Sequence, residues 1–257
     1  MAKEKIDELN RQLGKMLERD GIKTAFYYEP GPEYFAAPEG VVKIAFCNLE
    51  PYYRNDKSEL LNGFCRFPNE KFEFTEDGSD EQWSKVKTIR WTEIINYAID
   101  YNLNGKHGPK IENEFGDKIT EENLKRIHST QNEDLWQSLI KCAAYFNFRY
   151  TAGKGVAQHG SDIVSLYYDA NKRDYINFYK EYVKALECNV LVLGGKISCE
   201  LANKIYPGLN LSFNDDTDDI KFHDGVLFVS IKHPSRIGYA YVAEIANKIS
   251  DAYKGIK

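Results

Sequence analysis

Three short apolar runs constrain the fold most: Val41 to Phe46, Asn189 to Leu193 with a glycine pair after it, and Val226 to Ile231. Each is mostly hydrophobic along its length, the pattern of a strand covered on both faces. Helical spacing fills the chain around the last two. Residues 172–187 place Tyr175, Phe178, Tyr179, Tyr182 and Val183 on one stripe, Lys196 to Ile205 forms a helix closed by Pro207, and Tyr239 to Tyr253 forms a closing helix. Apolar strands alternating with helices predict an α/β fold, with three α/β/α layers around a central, mostly parallel sheet. Such a sheet carries its sites at the strand C-termini.

The rest of the chain reads less sharply. Residues 3–20 predict an amphipathic helix with Ile6, Leu9, Leu13 and Met16-Leu17 on one stripe, stopped by Gly21 and packed on the domain edge. Residues 28–40, rich in Pro and Gly, read as a loop. Residues 1–39 are therefore expected to be an N-terminal helix and loop extension, and 40–257 the α/β domain. The stretch 66–120 is polar and irregular apart from a helical Trp91 to Ile99. Glu121 to Tyr145 is helical in pattern and runs into Ala144-Tyr145-Phe146-Asn147-Phe148. The acidic run Asn214 to Asp219 is most simply a solvated loop, with a hard-cation site as the minor alternative.

Several function classes are disfavoured. A net charge of −5 argues against coating nucleic acid by charge alone, while leaving room for a local basic rim. No apolar run approaches the ~18 residues of a membrane span. The N-terminus lacks the apolar core of a signal peptide, so a cytoplasmic protein is expected. Five scattered cysteines with no CxxC pair suit reduced thiols, not a disulfide frame or an iron–sulfur cluster. The five histidines include no HExxH or HxH pair, so no metal site is expected. Aromatics make up 14% of the chain, which fits Tyr-rich packing better than dedicated stacking surfaces. Gly194-Gly195-Lys196 and Thr151 to Gly155 match neither nucleotide-binding glycine pattern, and no cofactor is expected.

The chemistry-bearing residues stand where two of the apolar runs end. Ile44-Ala45-Phe46-Cys47-Asn48-Leu49-Glu50-Pro51-Tyr52-Tyr53 delivers a carboxylate before a proline, and Val226 to Ile231 leads into Lys232-His233-Pro234-Ser235-Arg236. One carboxylate and one histidine brought to a common rim is a layout for acid–base or electrostatic catalysis. Asn48 to Tyr53 resembles the first motif of the uracil-DNA glycosylase superfamily, Gly-Gln-Asp-Pro-Tyr-His, and His233-Pro234-Ser235 matches its second, His-Pro-Ser. Between them, Tyr145-Phe146-Asn147 is similar to the family's strand-borne asparagine. The resemblance covers roughly residues 40–257, in the family's order.

The resemblance implies a uracil-DNA glycosylase-like fold and a monofunctional DNA glycosylase that hydrolyses the N-glycosidic bond of a flipped-out base. Glu50 would orient the attacking water, and His233 would hydrogen-bond the base oxygen and stabilise the leaving anion. Asn147 would read the base edge with its amide. Tyr52 would screen C5 of a pyrimidine, and Phe64 or Phe67 would supply a stacking floor. Ser235 would hold a phosphate, and Arg236 and Ile237 would lie on the groove-entering loop, with an apolar wedge filling the gap. No lysine stands at a matched catalytic position, so water is the expected nucleophile. Glu50 stands where the family has Asp, Tyr53 where it has His, and Asn48 where it has Gly. Uracil is the first substrate expected, a bulkier modified pyrimidine in foreign DNA the second. A non-catalytic nucleic-acid binder and a hydrolase of free nucleosides are the other classes. The expected partner is DNA, with the protein a monomer, no membrane and no metal.

Overall fold

The computed structural model describes residues 2–19, 27–28, 30–48, 66–67, 87–105, 118–129, 142–147, 172–213 and 218–256. Within these, helices α1 (Ala2–Arg19), α2 (Pro32–Phe35), α3 (Lys87–Asn104), α4 (Glu121–His128), α5 (Lys172–Leu186), α6 (Lys196–Ile205) and α7 (Tyr239–Lys254) alternate with strands. The strands are β1 (Tyr27–Tyr28), β2 (Ile44–Asn48), β3 (Arg66–Phe67), β4 (Ala144–Asn147), β5 (Val190–Gly194), β6 (Asp219–His223) and β7 (Val226–Ile231).

The central sheet has five strands in the order β4-β2-β5-β7-β6. The first four are mutually parallel, and β6 alone runs antiparallel, beside β7. Alternate residues of each central strand feed two cores, as period-two geometry requires. Ala45, Cys47, Ala144, Phe146, Leu191, Leu193 and Phe228 pack with α1, α5 and α6. Ile44, Phe46, Tyr145, Val190, Val192, Leu227, Val229 and Ile231 pack with α3, α4 and α7. The result is an α/β architecture with helices on both faces of a mostly parallel sheet. Ile6, Leu9 and Leu13 of α1 are buried in the first of these cores, and ion pairs Lys5–Glu181 and Arg19–Asp174, each 3.0 Å, flank the α1–α5 contact.

The strand starts are clamped. Lys43 N–H donates to Asn189 Oδ1 at 2.8 Å, and Asn189 N–H returns a bond to the Lys43 carbonyl at 2.8 Å. Asn104, at the end of α3, accepts from Val42 N–H at 2.6 Å and donates to its carbonyl at 3.0 Å.

Some expectations from sequence are corrected here. The helical reading of Glu121 to Tyr145 is met at Glu121–His128 and at Cys142, with residues 130–141 outside the described residues, and it is corrected at its end, where Ala144–Asn147 pairs with β2 as a strand. The loop expected over 28–40 contains the one-turn helix α2, whose Tyr34 hydroxyl donates to the Leu186 carbonyl at 2.9 Å in the core. The acidic run is not simply solvated at its end: Asp219 opens β6 and accepts from Ser212 N–H at 2.7 Å and Ser212 Oγ at 3.0 Å. Strand β6 reaches β7 through Asp224-Gly225, both at positive φ (48° and 82°), the backbone a two-residue type I′ hairpin needs.

Helix α3 carries a wholly buried carboxyl. Glu93 sits in the α3 layer beside Tyr145, and neither of its oxygens has a well-formed hydrogen bond among the described residues. Burial pushes its carboxyl well above the usual carboxylate range, and the Tyr145 hydroxyl pulls weakly the other way. Folded Glu93 therefore keeps its proton to a higher pH than the unfolded chain, which ionises near 4.5, so stability is full below that value and falls as pH rises toward the folded value. Glu93→Gln is expected to remove this fall, leaving stability flat across the same pH range. Denaturant unfolding at pH 4 and pH 7 measures it, and equal pH slopes for the two proteins would contradict it.

Candidate functional site

In the parallel part of the sheet the chain passes from β2 outward to β4, then returns past β2 to β5 and on to β7. The direction of winding reverses between β2 and β5, and the crevice beyond the carboxyl ends at such a reversal is where open α/β sheets bind ligands. Four strand ends border it. Asn48 and Asn147 are direct partners at the ends of β2 and β4, and Gly194 and Ile231 are partners at the ends of β5 and β7. The β2–β4 register is reinforced one layer down by the stacked rings of Phe46 and Tyr145, 5.4 Å apart and 11° from parallel.

His233 lies two residues past the end of β7 and is half-buried. Its carbonyl accepts from Arg236 N–H at 2.8 Å, closing the 3₁₀ turn Pro234–Arg236, and α3 packs against that turn. Gly195, in the bend that leads from β5 into α6, has φ +89° and lies against the His233 ring; a Cβ there would stand 3.6 Å from His233 Cδ2. The left-handed backbone is what requires glycine, since the space alone would admit a methyl group. Burial, with the positive charge of Arg236 as a second cause, holds the His233 imidazole below the ordinary histidine value of 6.5. At neutral pH the ring is therefore uncharged, a state in which a ring N–H can donate to an oxygen that gains charge.

The other residues expected from sequence fall as follows. Glu50, Tyr52 and Phe64 lie outside the described residues. Phe67 is the second residue of β3, paired with Tyr28 of β1, and β1 lies against β4. Asn147 ends β4, and Ser235 sits in the 3₁₀ turn. Arg236 is exposed, and Ile237 is half-buried against the α3–α7 core. The structure thus brings Asn147 and the His233 turn to one edge of the sheet. The sequence shows Gly195 only as a helix opener, and its contact with His233 becomes visible once β5 and β7 are known to be neighbours.

Among the described residues Cys47, Cys142, Cys188 and Cys199 form no disulfide. Burial pushes the Cys188 thiol up to about 12, which is the opposite of an activated nucleophile. Among the described residues no group of three or more His, Cys, Asp or Glu could hold a metal ion, and no helix is long and apolar enough to cross a membrane. Comparison with protein-family models and with curated proteins returns no match for this chain.

Proposed function

We propose that this protein is a monofunctional DNA glycosylase that hydrolyses the N-glycosidic bond of a flipped-out damaged or modified base, with uracil as the first substrate. One observation carries the reading: the asparagine and the histidine picked out by their motifs stand at the same carboxyl edge of a parallel sheet, on either side of the winding reversal. Two strand spacings, about 10 Å, separate the end of β2 from the end of β7, enough for one base with its sugar between the two motifs.

In this reading the water oxygen bonds to C1′ of the sugar as the bond from C1′ to the base nitrogen breaks. The water's proton passes to the Glu50 carboxylate. The electron pair of the broken bond leaves with the base, where its oxygen accepts a hydrogen bond from neutral His233. Asn147 reads the edge of the base, and Ile237, next to exposed Arg236, is the apolar wedge of this reading. The products are a free base and an abasic site.

The test is release of free base from duplex and single-stranded DNA carrying uracil or modified pyrimidines, with Glu50→Gln beside the wild type. Release from at least one substrate, lost in Glu50→Gln, is the expected result, and the substrate panel identifies the base. The net charge of −5 favours one rival, a non-catalytic binder. Its signature is DNA binding that Glu50→Gln leaves unchanged, with no base released from any substrate.

A further inference from the structure

The geometry points to Tyr241 and Asp218 as positioning residues for His233, holding the end of β7 through a hydrogen-bond relay that joins three elements. The ladder between β5 and β7 ends at the Gly194–Ile231 pair. The next amide, Lys232 N–H, donates instead to Tyr241 Oη of α7 at 2.9 Å. The Tyr241 hydroxyl donates its own proton to Asp218 Oδ1, so accepting from Lys232 and donating to Asp218 fix its orientation. Asp218, the residue before β6, has a side chain only 8% exposed, and its other oxygen faces Lys248 Nζ at 3.6 Å. Glu244 holds Lys248 in turn at 2.6 Å, and the Lys232 ammonium lies over the Tyr241 ring, 5.5 Å from its centre.

Lys232 is the residue immediately before His233, so whatever fixes its amide fixes where the imidazole begins. Burial and the Asp218 contact push the Tyr241 hydroxyl upward, so it remains a proton donor throughout the working range. The acidic run therefore contributes one residue that turns inward and props the strand end. Without the Tyr241 hydroxyl, the half-buried Lys232 amide and the Asp218 carboxylate would each lose a partner, and the turn carrying His233 would lose its tether to α7. Displacement of a reacting group by about 1 Å can cost on the order of a hundredfold in rate. The link to rate rests on the glycosylase reading of His233; the link to His233 geometry does not.

Full-length wild type, Tyr241→Phe, Asp218→Asn and Asp218→Ala are compared in two measurements: the His233 imidazole signals by heteronuclear NMR, and single-turnover base release beside DNA affinity. Tyr241→Phe keeps the ring under Lys232 but removes the hydroxyl. It is expected to shift the His233 signals and slow release by about 10- to 100-fold, with DNA affinity within about twofold. Asp218→Ala should reproduce that signature if Tyr241→Phe folds poorly. Asp218→Asn keeps an acceptor for the Tyr241 proton and should remain near wild type. Unmoved His233 signals in both Tyr241→Phe and Asp218→Ala overturn the proposal, even if release slows. If the wild type releases no base, the NMR comparison still decides the positioning role, while the glycosylase reading fails separately.

Discussion

Replacing His233 with Ala is expected to slow base release by about 10²–10³-fold, equal to roughly 3–4 kcal/mol of lost transition-state stabilisation. DNA affinity should change little, because the hydrogen bond in question strengthens only as charge develops on the departing base. Single-turnover kinetics on the substrate found by the base-release panel is the measurement, and a rate within threefold of wild type would remove His233 from the chemistry. The pH profile gives a second check. Since burial and Arg236 hold the imidazole below 6.5, the wild-type rate attributable to His233 should be flat through neutral pH and change only below that value. Arg236→Ala removes one of the two causes and should move this acid limb upward.

The largest stability effect is expected at Phe228. Its ring is completely buried in the middle of β7, between partners Leu191 on β5 and Lys221 on β6, and it meets the Tyr206 ring at 5.0 Å. Phe228→Ala removes the ring and leaves a cavity that a five-stranded sheet closes poorly, at a cost of about 3–5 kcal/mol. Against a typical domain stability of about 5–15 kcal/mol this is a large fraction. Denaturant midpoints measure it, with Phe222→Ala as the contrast: Phe222 is 52% exposed on the edge strand and should change stability by no more than about 0.5 kcal/mol. Comparable losses at both positions would contradict the assignment of faces.

Local pattern was a good guide where the chain carries its own punctuation. Lys196–Ile205 and Val226–Ile231 match expectation at both ends because a glycine pair, Pro207 and the polar Lys232-His233 bound them. Pattern failed where pairing decides. Ala144–Asn147 is too short to declare a period, and it is a strand because β2 stands beside it. Asp219–His223 mixes charged and apolar residues within an acidic region, and its order comes from β7 across the Asp224-Gly225 turn. The candidate site divides in the same way. The sequence marks His233 and Asn147 by their motifs, whereas the Tyr241–Asp218 bond joins residues 23 positions apart with no local signature. The Gly195–His233 contact likewise needs the strand order before it can be seen.

The pairing of Asn48 with Asn147 has an evolutionary consequence. These two ends are joined in sequence by a long connection, yet their separation in space is set by one rung of a parallel ladder. The entropy of closing such a connection grows only with the logarithm of its length, so doubling it costs about 0.6 kcal/mol. Helices α3 and α4 within that connection are held by the core they share with β2 and β4, so ladder and core together fix the spacing of the two strand ends. Under the proposed glycosylase reading, changes of length in that connection would leave the rim spacing intact, so selectivity could drift without the sheet being rebuilt.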